Sequence, residues 1–400
     1  MIKKLWAFIF LAALLNPGIY AEVFRFRYTM DDQYRILSTV REEVYINGGF
    51  SHEAEIFNRI AVRVTKTADD SGYLEADFQT SERIGGMKGV YQWSEVYESK
   101  FWRNSLGRYA IEPQYFMPVV RDVPMFPERD IEPGESWIAR GEEAHDFRSN
   151  FNIPVPFTFP ITVNYEYRGK GDFEGKQYDV ISIRYTVFHR PAVVPRNAAL
   201  YPVRLSGYSD QLLYWDNQEG QPYAYQEEFE FVFQLSSGDQ VEYRGSAEAK
   251  VIESIHMNKE DMLKSIQEEL SKDNLKDTTV RSDERGITIS LENIQFKPDS
   301  TEMLATEQVK LDAIAAVLKK YPDRDILITG HTALAGTEAG RQQLSEERAR
   351  VVGDYLLLQG VRTKEHIVIQ GKGAREPVAD NRTEEGMKKN RRVEITILEN

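Results

Sequence analysis

The chain has 400 residues, is 41% apolar, carries a net charge of −13 and contains no cysteine. This length allows two or three domains with packed cores. The acidic balance argues against nucleic acid as a partner, because binding there needs basic surface to displace counterions. The absent thiols exclude disulfide staples and lipidation at a mature N-terminal cysteine.

Lys3 and Lys4 precede an apolar run from Leu5 to Leu15, which Pro17-Gly18 breaks before the small residue Ala21. The run is too short to span a bilayer. Residues 1–21 read as a secretory signal peptide.

Residues 22–256 read as an antiparallel all-β domain, a curved sheet or half-barrel. Ile60, Val62 and Val64 alternate with polar residues, as do Leu74, Ala76 and Phe78, then Val163, Tyr165 and Tyr167, then Ile181, Ile183 and Tyr185, then Phe229, Phe231 and Phe233. Period-two alternation gives each strand one buried and one wet face. Asp69 to Gly72, Glu174-Gly175, Asn217 to Gly220 and Ser236 to Asp239 supply turns between them. Pro154, Pro156 and Pro160 predict an ordered loop over 151–160, since a proline cannot donate to a central ladder. The stretch from Pro127 to Trp137 is turn-rich. The region loosely resembles LolA-like half-barrel envelope proteins, without a diagnostic motif.

Residues 257–277 read as a helical linker. Asn258 can cap it, and Met262, Leu263, Ile266 and Leu270 form one apolar stripe on a charged helix.

From 278 to 400 strands and helices alternate. Ile287, Ile289 and Leu291 mark a strand running into Ile294-Gln295-Phe296. Leu304, Leu311, Ile314 and Leu318 mark a helix, and Ile326 to Ile328 a buried strand. Leu344, Val351, Val352, Tyr355 and Leu356 mark a second helix ended by Gly360, before strands at Ile367 to Ile369 and Val393 to Ile397. The order is that of a βαβαβ α/β sandwich.

Three pieces of this region stand in order: Ile328-Thr329-Gly330-His331-Thr332-Ala333, Leu344-Ser345-Glu346-Glu347-Arg348-Ala349 and Asn390-Arg391-Arg392-Val393-Glu394. Phe296 with Pro298, Asp299 and Ser300, and Gly371, Gly373, Pro377, Asn381, Thr383 and Gly386, add further landmarks. Together they resemble the OmpA-like, peptidoglycan-associated domain. The resemblance implies a non-catalytic partner of the cell wall that binds a diamino acid of the peptidoglycan stem peptide. In the family an Asp takes the ligand's amine and an Arg takes a carboxylate, which the guanidinium fork suits. Here Ala333 stands at the Asp position, and the Arg is Arg348. Thr332, Asn390 and Arg391 are pocket candidates. Arg341 stands where the family usually has Asn. One negative group is thus lost and one positive group gained, which predicts weak binding or altered stem-peptide specificity; Glu338 and Asp380 are the nearby acids that could replace the lost one. His331 is expected to pack rather than react, and Arg392 to form a structural ion pair on the opposite face from Arg391.

The expected location is the periplasm, in association with the outer membrane or cell wall. No cofactor, metal or enzymatic role is implied: the six histidines are scattered and no nucleophile motif occurs. Two rival readings stand beside this one. The β domain is either a carrier for lipid or another apolar ligand tethered by the second domain, or an integral outer-membrane barrel with a periplasmic anchor. Outer-membrane proteins are the other candidate partners of the β domain.

Overall fold

The computed structural model describes residues 21–84, 90–191, 200–253, 259–272, 277–283, 285–292, 303–322 and 324–398. The leader, Asn258, and the stretch from Ile294 to Ser300 lie outside them.

The β domain comprises β1 (Gln33–Ile46), β2 (Gly49–Ala68), β3 (Ser71–Ile84), β4 (Tyr91–Asn104), β5 (Tyr109–Ile111), β6 (Val120–Arg121), β7 (Ser136–His145), the short α1 (Arg148–Phe151), β8 (Phe157–Phe173), β9 (Lys176–His189), β10 (Pro202–Asp216), β11 (Gln221–Leu235) and β12 (Gln240–Glu253). Hairpins run from β1 to β4 and from β7 to β12, and β12 returns to pair with β1 from Tyr34↔Glu253 to Ile46↔Val241. Among the described residues no ladder joins β4 or β5 to β6 or β7, so the sheet stays open. The hairpin turns follow local chemistry. Asn47-Gly48 and Glu174-Gly175 both have positive φ at the two turn positions, which matches the right-handed strand twist.

One proline departs from expectation. Pro160 lies inside β8, opposite Glu142 of β7. The ladder from β8 to β9 begins only at Val163↔Tyr185. At Pro160 the strand therefore has one paired neighbour, and the missing N–H leaves no second ladder broken.

The concave face carries the core. Phe24 and Phe26 from the chain before β1 insert against Phe126, Tyr167 and Trp215, with ring centroids 4.8–5.8 Å apart. Such offset and edge contacts add to area burial. The convex face is charged, as at Arg41, Glu55, Arg83 and Glu248.

The C-terminal region comprises α2 (Lys259–Lys272), β13 (Thr278–Asp283), β14 (Gly286–Glu292), α3 (Ala305–Leu318), β15 (Ile326–Gly330), α4 (Glu338–Leu358), a single 3-10 turn (Lys364–His366), β16 (Ile367–Gly371), α5 (Glu384–Asn390) and β17 (Arg392–Leu398). The strand order is β13-β14-β17-β15-β16, with only β15 and β16 parallel. One face, with Ile289, Ile328, Ile369 and Ile395, packs on Leu311, Ile314, Val352 and Leu356 of α3 and α4. Ile266 and Leu270 of α2 join that core, so the linker stripe rests on the C-terminal region. Gly360 follows α4 at φ 65°, and the Val361 N–H returns to the Leu356 carbonyl, closing the helix as expected.

The two regions meet. β16 pairs in parallel with β4 at Val368↔Tyr91 and Ile369↔Gln92. Trp93 packs on Leu327, Val368 and Leu398. Asp325, just before β15, is buried against Arg35 and Arg59 on the convex face of the β domain.

Candidate peptidoglycan site

Two glycines set the geometry of the candidate site. A Cβ on Gly330 would lie 2.0 Å from the Ser345 carbonyl oxygen, and one on Gly371 would lie 2.6 Å from Ser345 Oγ. Without those atoms α4 can lie directly against the ends of β15 and β16. Ser345 Oγ then accepts from the Gly373 N–H at 2.9 Å and donates to the Gln342 carbonyl at 2.7 Å. This close approach carries Arg341 and Arg348 to the loop that begins at His331.

That loop is held from both sides. The Thr332 N–H donates to the Gly373 carbonyl at 2.8 Å, and the Leu334 N–H donates to Asn381 Oδ1 at 3.0 Å. Thr332 Oγ1 is buried without a protein partner among the described residues. Ala333 is 5% exposed and brings only a methyl group.

The candidate residues divide into two groups. Arg348 is half-buried, and its pKa is held below the usual guanidinium value, first by burial and then by the charge of Arg391. Arg391, the residue before β17, is thus near enough for its charge to act on Arg348 of α4. Arg341 does not extend into open space: its Nη1 donates to the Gly336 carbonyl at 2.5 Å. Asn390 is fully buried and spends its amide on the frame. Its Oδ1 accepts from Val378 and Ala379 at 2.8 and 3.0 Å, and its Nδ2 donates to Ala379 O and Asn381 Oδ1 at 2.8 and 2.9 Å. It positions the loop instead of offering a free group. Asp380 is engaged by Arg382 at 2.9–3.1 Å, and Glu338 is exposed in the first turn of α4.

Beneath the loop lies a buried polar cluster. Glu394 takes a two-pronged contact from Arg281 at 2.9 and 3.1 Å and a bond from Arg392 Nε at 2.8 Å, so Arg392 makes the expected ion pair. Burial alone would raise the Glu394 pKa, but the hydrogen-bonded guanidiniums of Arg281 and Arg392 outweigh it and hold it well below the carboxylate range. His331 is buried, 3.8 Å from Glu394, beyond hydrogen-bond reach, and burial lowers its pKa. It packs, as expected of it. The residues that sequence reasoning passed over are Ser345 and the Gly373 carbonyl. Ser345 acts through its hydroxyl and Gly373 through its backbone, and the bond between them joins positions 28 residues apart.

Residues 295–391 match the family model described as OmpA family. The C-terminal module is an OmpA family domain. Among similar curated proteins is the "Peptidoglycan-binding protein ArfA" of Mycobacterium bovis, 39% identical over 26% of this chain and 32% of its own length. Another is the "Probable lipoprotein YiaD" of Escherichia coli, 35% identical over 33% of this chain and 61% of its own. A solved outer membrane protein from Borrelia burgdorferi is 40% identical, covering 30% of this chain and 96% of that one, with a TM-score of 0.26. The chain thus spans about a third of the length of ArfA and 61% of that of YiaD.

Proposed function

We propose that this is a non-catalytic protein of the cell envelope, exported to the periplasm, whose OmpA family domain associates with peptidoglycan beneath an outer membrane. Residues 22–256 form its β domain, 257–277 its linker and 278–400 its wall-associated domain. The name of the similar peptidoglycan-binding protein ArfA supports the partner. What supports the reading is half-buried Arg348, on which the charge of Arg391 acts, together with Ala333, which supplies no anion. Two guanidiniums suit carboxylates of a stem peptide. The ammonium of a diamino acid finds no carboxylate at position 333. The pocket therefore favours the acid end of the ligand and binds the usual stem weakly or with altered specificity, with Thr332 Oγ1 as a further polar contact.

The test is co-sedimentation of the full mature chain with sacculi from its own organism. Arg348→Ala is expected to weaken binding at least about tenfold, the worth of one charge-assisted hydrogen bond of roughly 1.5–3 kcal/mol. Ala333→Asp is expected to strengthen binding to diaminopimelate-type walls. Equal sedimentation of wild type and Arg348→Ala removes the pocket assignment.

A second reading concerns the β domain. Its sheet is open and its convex face charged, whereas a membrane barrel closes on itself and presents an apolar band outward. No helix among the described residues is long and apolar enough to cross a membrane. An apolar cleft on the concave face favours the carrier reading instead.

A further inference from the structure

The concave cleft has a volume of about 340 Å³ and lies between the two halves of the β sheet. Ile60, Leu74, Phe78 and Phe101 form one wall, and Ile183 and Leu213 the other. Arg103 of β4 lines the same cleft and is only 9% exposed.

The surroundings of Arg103 are unusual for a buried cation. Its Nε donates to Tyr28 Oη at 2.8 Å, its Nη1 lies 3.4 Å from Tyr109 Oη, and its guanidinium carbon sits 3.9 Å from the Phe26 ring centroid. Among the described residues no carboxylate lies within ion-pair distance of it. Phenols cannot neutralise it. Burial pushes the Tyr28 hydroxyl up to about 12 and raises that of Tyr34 as well, so both are uncharged at neutral pH. The other charges along the cleft are already engaged. Glu227 accepts from Ser209 at 2.7 Å and Gln211 at 3.2 Å, and Lys250 pairs with Glu174.

An unpaired charge in a low-dielectric site costs several kcal/mol unless an anion joins it. A ligand that brings its own anion to an otherwise apolar wall removes that cost. The volume lies at the low end of the range for small-molecule sites, roughly 300–1,000 Å³, which suits one chain better than a lipid with several. We propose that the β-domain cleft binds a single-chain acidic amphiphile, its acidic head on Arg103 and its tail along Ile60, Leu74, Phe78 and Leu213. This deepens the carrier reading and names its ligand class. The positive charge gives selectivity, because a neutral molecule of the same shape leaves Arg103 buried and unpaired.

Fluorescence titration of the delipidated full chain tests it, using cis-parinaric acid, an intrinsically fluorescent fatty acid, and its methyl ester. The acid is expected to bind at least about tenfold more tightly than the ester. Arg103→Met is expected to erase that preference while ester binding persists, and Arg103→Lys to retain part of it. Competition by dodecanoate and by dodecyl phosphate tells a carboxylate head from a phosphate head, and displacement by either supports the site. Equal binding of acid and ester by the wild type, or an unchanged preference in Arg103→Met, overturns the role of Arg103 alone. Binding of neither probe overturns the carrier reading too. Where Arg103→Met fails to fold by circular dichroism, the wild-type comparison and Arg103→Lys decide the outcome.

Discussion

Asp325 Oδ2 accepts a hydrogen bond from Arg59 Nε at 2.6 Å, and the two residues belong to different domains. Arg35 Nη2 reaches the same oxygen at 3.2 Å, and His366 Nδ1 lies 2.5 Å from the other. Arg59 is fixed in turn by Gln79 and Ser81, each at 3.1 Å, and by the Glu365 carbonyl. One buried carboxylate therefore answers two buried guanidiniums on the convex face of β1 and β2. The concave cleft and the OmpA family domain end up on opposite sides of one sheet.

Removing that carboxylate strands the guanidiniums. Asp325→Asn is expected to lower stability by about 3–5 kcal/mol, the cost of breaking a buried ion pair from one side. Urea unfolding followed by tryptophan fluorescence and far-UV circular dichroism should change from one transition to two, as the domains lose their coupling. A single, unshifted transition contradicts the clamp.

Acid should act on the same group. Burial would raise the Asp325 pKa, but Arg59, His366 and Arg35 outweigh it, so the folded value lies well below the unfolded one of about 3.9. Glu394 behaves likewise against about 4.3. A depressed folded pKa gives stability that is complete above the unfolded value and lost as pH falls through the folded one. Unfolding free energy should therefore hold near neutrality and fall steeply below about pH 4. In Asp325→Asn the fall should be shallower; an identical slope removes Asp325 from the account.

Asn390→Ala deletes an amide that satisfies two N–H groups and a carbonyl inside the protein. Each buried group left unpaired costs about 1–3 kcal/mol. The variant is expected to lose roughly 2 kcal/mol or more in urea melts. Trypsin should also cut sooner after Arg382, in the loop that Asn390 holds. Unchanged protection of that loop contradicts its positioning role.

Gly330→Ala places a methyl group 2.0 Å from the Ser345 carbonyl oxygen. Backbone cannot yield there as a flexible side chain can, so α4 must shift. Overpacking of this kind costs about 1–3 kcal/mol. The melting temperature should fall, and sedimentation with sacculi should weaken even though no pocket side chain is changed. Gly360→Ala makes a useful comparison, because the space around Gly360 is open and its cost comes only from φ 65°.

The amino-acid sequence by itself determined what local patterns encode. Period-two alternation marked the β strands, and the apolar stripe through Ile266 and Leu270 marked a helix that docks on a neighbour. The spaced residues around Gly330, Arg348 and Arg391 marked an OmpA family domain, and Ala333 announced the missing carboxylate without any coordinates. These features depend on neighbours within a few positions or on motif spacing, so they are written along the chain.

Tertiary structure decided the rest. Pro160 is tolerated in β8 because the ladder to β9 starts three residues later, which no local rule contains. Asn390 and Arg391 are adjacent in sequence, yet one builds a loop while the charge of the other acts on Arg348. Arg59 and Arg103 look alike as single basic residues in alternating strands. Side-chain direction sends Arg59 to the convex face, where Asp325 neutralises it. Arg103 goes to the concave face, where among the described residues phenols and a phenyl ring meet it and no carboxylate does. The electrostatic state of a charge depends on what lies within a few ångströms in space, and folding alone brings position 59 to position 325.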